Sequence, residues 1–99
     1  MTRVLRVIEK DPDEFLDYGF DFTLWLAEVG DSIASVEWDV PSGLTEEEEI
    51  EPAAGIRGIF LSGGTIGDEH VVTCTATTDN DPARVIKRSI LLRIVDRGA

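Results

Sequence analysis

The chain has 99 residues, of which 42% are apolar, and a formal net charge of −11. That length suits one domain with one core, and that composition excludes an intrinsically disordered chain. The charge repels nucleic-acid phosphates and anionic membrane surfaces, so neither is expected as a partner.

Residues 3–8 (Arg-Val-Leu-Arg-Val-Ile) predict a first strand. Lys10-Asp11-Pro12-Asp13 should stop it, because proline removes a ladder donor and aspartate favours turns. Residues 16–22 alternate strictly, which places Leu16, Tyr18, Phe20 and Phe22 on one side of a second strand. The alternation breaks at residues 23–27. This stretch reads as a helical turn capped by Thr23 or Asp21, with Trp25 or Leu26 packing over one end of the core. Gly30-Asp31 is a turn, and residues 33–40 are a third strand ending at Pro41-Ser42-Gly43.

Residues 45–52 carry Glu46, Glu47, Glu48, Glu49 and Glu51. A run of like charge is usually solvated, so this segment reads as a loop with at most a weak edge strand. Two roles stay open for it: keeping the protein soluble, or docking on a basic surface. Residues 56–62 are a strand, and Gly63-Gly64-Thr65-Ile66-Gly67 is a turn suited to positive φ. Residues 71–78 are a threonine-rich strand, Asp79-Asn80-Asp81-Pro82 a turn, and residues 84–95 the last strand.

Six to seven strands with these turn spacings predict an all-β fold, an antiparallel Ig-like β-sandwich formed as a single domain over residues 1–99, with a small barrel as second choice. The expected core is Tyr18, Phe20, Phe22, Ile33, Trp38, Val40, Leu61, Val72, Cys74, Ile90, Leu92 and Ile94. Trp38 facing Cys74 mimics the tryptophan and second cysteine of immunoglobulin domains, with the other cysteine missing. A lone cysteine forms no internal disulfide, which fits folding in a reducing cytoplasm, and residues 1–10 have no signal-peptide core.

Chemistry-bearing patterns are sparse. His70 and Cys74 are the single histidine and thiol, about 13 Å apart at strand rise, so they share a face without touching. Ser42-Gly43 and Ser62-Gly63-Gly64 match neither a nucleophile elbow nor a phosphate loop. Asp79-Asn80-Asp81 offers hard oxygen ligands for calcium, with Asp11, Asp13 and the glutamates as further donors, but lacks an EF-hand loop pattern. No enzymatic activity, no catalytic, cofactor-binding or metal-binding residue, and no cofactor is therefore expected.

Four segments in order carry a resemblance: Lys10-Asp11-Pro12-Asp13 with Leu16-Asp17-Tyr18; Asp31-Ser32-Ile33-Ala34-Ser35 through Trp38 to Val40-Pro41-Ser42-Gly43-Leu44-Thr45; Leu61-Ser62-Gly63-Gly64-Thr65 with Gly67; and Arg88-Ser89-Ile90 with Leu92-Arg93-Ile94-Val95. Over residues 8–96 the chain resembles a family of small tailed-bacteriophage structural proteins described as phage fiber-tail adaptor or head–tail-region proteins with an Ig-like sandwich. The glutamate run and residues 52–55 look longer and more acidic than that family's usual connection.

The resemblance implies a structural virion protein, assembled in the bacterial host cytoplasm, that joins tail or head–tail components. Its implied partners are other phage structural proteins (tail, connector or fibre components) and further copies of itself in a cyclic homo-oligomer on the virion. A capsid decoration protein, or a carbohydrate- or host-surface-binding Ig-like module, is the alternative. The expected contact surfaces are the first strand, the Trp25 region, the glutamate segment and the tail at Arg97.

Overall fold

The computed structural model describes residues 6–98. Its elements are β1 (Arg6–Lys10), β2 (Leu16–Asp21), α1 (Thr23–Val29), β3 (Ile33–Asp39), β4 (Thr45–Ala53), β5 (Ile56–Ser62), β6 (Glu69–Thr78) and β7 (Val85–Ile94). They form two sheets, one ordered β1-β7-β6-β3 and the other β2-β5-β4. The architecture is an all-β sandwich. Every pairing is antiparallel except β1 with β7, which run parallel from Arg6↔Ile90 to Lys10↔Ile94. The chain leaves for the other sheet after β1, so β1 never turns back on itself as a hairpin and is free to pair with the last strand.

Alternation explains the layers. Tyr18, Ile59, Leu61, Val72, Ile90, Leu92 and Ile94 point between the sheets and are buried. A second cluster at the α1 end joins Phe22, Leu26, Cys74 and Ala76. Phe20, Ile33, Trp38 and Val40 are half-buried against these clusters rather than sealed inside them. Leu16 opens β2 at the rim and is 42% exposed, although it shares its side of the strand with Tyr18.

Three local expectations change. The glutamate segment is not a loop: β4 is a nine-residue strand at the sheet edge, paired to β5 from Thr45↔Ser62 to Ala53↔Ile56. Ladder bonds to β5 outweigh the poor strand preference of consecutive glutamates. Lys10 belongs to the end of β1 rather than to the stop, and it is fully buried. The start of the expected first strand, residues 3–5, lies outside the described residues. Finally, Phe22 holds the N-cap position of α1 and makes no side-chain cap bond; the Asp21 carboxylate accepts from the Thr23 amide at 2.9 Å one position earlier. Gly30, left-handed at φ 63°, ends the helix as expected of a turn.

The glycine turn after β5 is needed sterically. Gly64 has φ 107°, and a Cβ there would fall 2.9 Å from Cδ1 of Ile94. The turn therefore lies flat against the end of β7, where the Gly67 amide donates to the Ile94 carbonyl and the Ile94 amide to the Asp68 carbonyl, both at 2.9 Å.

Candidate assembly surfaces

The two sheets leave an open seam where the edges β3 and β4 run side by side. On β4, Glu46 stands opposite Leu61 and Glu49 opposite Ile59. Leu61 and Ile59 are core residues, so these two glutamates lean to the inner side of their sheet, over the seam. On β3, Val36 and Trp38 face inward, paired with Ala76 and Cys74, while Glu37 and Asp39 face outward. Val36 and Trp38 floor the resulting groove, and Glu37, Asp39, Glu46 and Glu49 surround it. The Trp38 ring stacks on Phe20 of the opposite sheet with centroids 6.0 Å apart. Its buried Nε1 has no hydrogen-bond partner among the described residues.

β4 is a blunted edge. Its ladder shifts between Glu46 and Glu48 and again between Ile50 and Ala53, and it contains Pro52. Bulges, proline and inward charge all discourage another strand from adding on. Two of its glutamates serve the fold: Glu47 accepts from the Ser62 hydroxyl, and Glu51 lies 3.2 Å from Arg57. Among the described residues no cation pairs with Glu46, Glu48 or Glu49.

The far side of the four-stranded sheet is basic. Among the described residues β1 pairs with β7 from Ile90 to Ile94, and Lys87 and Arg88 lie on β7 before that stretch, both exposed. Cross-strand register puts them in the same rows as the seam. Glu37, Thr75 and Lys87 form one row across β3, β6 and β7, and Trp38, Cys74 and Arg88 the next.

The other expected contact surfaces divide. On α1, Leu26 is buried, Trp25 half-buried and Leu24 83% exposed, so the helix offers an apolar tip. The Arg97 tail is tied down. Arg97 Nη1 donates to the Glu9 carbonyl at 2.9 Å and lies 3.7 Å from Glu14, and its amide donates to the Asp11 carboxylate at 2.8 Å. Amide bonds from Asp13 and Arg97 keep the Asp11 carboxyl below the usual carboxylate range. Beneath this clasp the Lys10 ammonium donates to the carbonyls of Gly63 (2.7 Å) and Asp11 (2.9 Å). Burial pulls its pKa down, against the opposing pull of Glu14, Asp11 and Asp13. Sequence reading missed this lysine, since nothing local distinguishes it from a surface one.

The residues with chemical potential serve packing. Cys74 is fully buried, and burial pushes its thiol up to about 11, where it is unreactive near neutrality. His70 packs its ring against Gly43, whose Cβ, if present, would meet Cε1 at 2.5 Å. In the aspartate turn, the Asp79 carboxylate accepts from the Ser32 hydroxyl at 2.5 Å. The buried Asp31 carboxylate accepts from Ser32 N, Arg84 Nη1 and Asn80 N at 2.8, 2.9 and 3.1 Å. Burial alone would raise the Asp31 pKa, but these bonds and the Thr78 hydroxyl bring it below the usual value. Its oxygens are committed to the chain. Among the described residues no three histidine, cysteine or acidic side chains gather as a metal-binding cluster.

No curated protein matches the chain. A family model described as podophage GP4 fiber-tail adaptor protein gp77 matches residues 10–93, taking in β2 to β6 whole and β7 as far as Arg93. With the match running from the buried lysine to the last strand, the chain belongs to this podophage fiber-tail adaptor family.

Proposed function

We propose that the protein is a virion subunit of a tailed bacteriophage that joins tail or head–tail components, acting as one domain, in several copies, and without catalysis. The family match over residues 10–93 carries this reading. The strand order supports its Ig-like form: β3, β6 and β7 take the places of immunoglobulin strands C, F and G, and β2, β5 and β4 those of B, E and D. The geometry supports a docking role. Polar pairs, turns and packing absorb the thiol, the buried Asp31 and the Arg97 tail, whereas the β3–β4 seam, the Lys87–Arg88 stretch and the α1 tip remain outward-facing. Contacts too weak singly to bind become firm when repeated around a symmetric ring.

The test is assembly without the subunit. Particles grown from a phage in which its reading frame is interrupted should carry tails that lack fibres or fail to join the head, and a density map of complete particles should place the subunit at that joint. Fully fibred particles with the subunit on the capsid shell would overturn the reading in favour of decoration. A carbohydrate titration of the free protein that evolves saturable heat would favour a host-surface module.

A further inference from the structure

We infer that neighbouring copies meet edge to edge, with Lys87 and Arg88 of one copy seated in the next copy's β3–β4 seam among Glu37, Asp39, Glu46 and Glu49. This rests on the multi-copy reading above and names the surfaces that would make it.

Three observations converge. The first is unspent charge. Arg57, Arg84, Arg93 and Arg97 each pair with a carboxylate of their own chain, and Lys10 is buried. Among the described residues Arg6, Lys87 and Arg88 pair with no carboxylate, the last two standing side by side on β7, and the four acids of the seam pair with no cation.

The second is placement. Among the described residues the acidic seam and the basic stretch lie at opposite ends of the same two cross-strand rows, with β6 between β3 and β7. A copy set beside another at the same height therefore brings cation to anion. The patches are not self-complementary, since a two-fold contact at the seam would press carboxylate on carboxylate. Head-to-tail contact is the alternative, and it closes into a ring when the rotation per copy permits.

The third is the form of the edge. The bulges, Pro52 and the inward Glu46 and Glu49 hinder main-chain strand addition to β4, yet they leave these carboxylates available to long basic side chains. Such a contact is salt-sensitive and individually weak, which suits a ring that depends on many copies.

The test uses zero-length carbodiimide cross-linking, which joins an amine to a carboxylate in direct contact. The chain has two lysines, and Lys10 is buried, so Lys87 is the exposed lysine amine. Concentrated full-length protein, half of it 15N-labelled, is cross-linked and digested, and mixed-label peptide pairs are read by mass spectrometry. The expected products join Lys87 to Glu37, its row mate on the outward face, or to Glu46 or Glu49 in mixed-label pairs; they fall at least tenfold in molar salt and are lost in K87E/R88E, which lacks the amine. The fourfold variant K87E/R88E/E46K/E49K should restore mixed-label products at these positions. Absence of mixed-label products from folded wild-type protein, or their formation mainly at other carboxylates, would overturn the contact. If that happens while the subunit still sits at the tail joint, the adaptor reading stands and the edge contact alone fails. Cross-links from a protein absent from the tail would reverse that outcome.

Discussion

Trp38 and Cys74 stand directly opposite each other on β3 and β6, and the Trp38 ring reaches across the sandwich to stack on Phe20 of β2. Where an immunoglobulin domain would tie its sheets with a disulfide beside such a tryptophan, the space around Cys74 is filled by Phe20 of β2 and by Phe22 at the N-cap of α1. The two layers are joined by packing, which makes the fold sensitive to lost volume and indifferent to reducing agents.

That sensitivity predicts the cost of emptying the other cluster. Leu92 is fully buried between the sheets. Leu92→Ala should destabilise the fold by about 2–5 kcal/mol, lost transfer energy and the residual cavity both contributing. Urea denaturation of the two proteins measures this, and a loss under about 1 kcal/mol would mean that the surrounding side chains collapse to refill the space.

The turn at Gly64 gives a backbone prediction. Its positive φ and the nearby Ile94 Cδ1 leave no room for a methyl group. Gly64→Ala should cost about 1–3 kcal/mol, a typical value for backbone forced into a sparsely populated region. Gly67→Ala shares the positive φ but would meet nothing within 4 Å, so it should cost less. Equal losses from the two substitutions would show that the contact with Ile94 contributes nothing.

Alkaline pH should weaken the fold through Cys74. Burial raises its thiol from 9.0 to about 11. Between those values the unfolded thiol has ionised while the folded one stays protonated, so rising pH favours unfolding. The denaturation midpoint should fall across this window, and Cys74→Ala should fall less steeply. Tyr18, raised to about 12 chiefly by burial, and Lys10, whose lowered pKa works in the opposite direction, are present in both proteins and leave the difference untouched. Parallel pH profiles would rule Cys74 out.

Acid should act at Asp31. Its folded carboxyl titrates below the usual aspartate range, so its stabilising effect is complete above that range and is lost as pH falls through the folded value. Asp31→Asn removes the titration. The variant should be less stable at neutral pH and should show a shallower acid limb. An unchanged acid limb would show that other carboxylates govern acid unfolding.

Much of the fold was readable because period-two alternation is a local signal. The strand at residues 56–62 was placed to the residue, and the turns at Gly30 and Gly63 follow from local backbone demands. β4 departs from its sequence signal for a physical reason. Its glutamates resemble a solvated run, the shift after Glu46 breaks the alternation, and its strand form comes from pairing with β5. The parallel join of β1 to β7 was equally hidden, because nothing in five residues records the direction of a partner some eighty positions away. The seam was half legible: its acids were visible, but their company with Trp38 and their alignment with Lys87 exist only across strands. Arg97 looked like a free tail for want of any sign that Glu9, Asp11 and Glu14 would gather round it.

The parallel ladder of β1 and β7 has a mechanical consequence. A pull applied at Arg6 and directed away from Ile94 acts along the strands, loading the five described pairs together in shear rather than unzipping them singly. With the Val95 amide bonded to the Lys10 carbonyl, the far end of that ladder is anchored as well. Tension entering by the first strand and leaving by the last is therefore borne by this ladder before it reaches the interior.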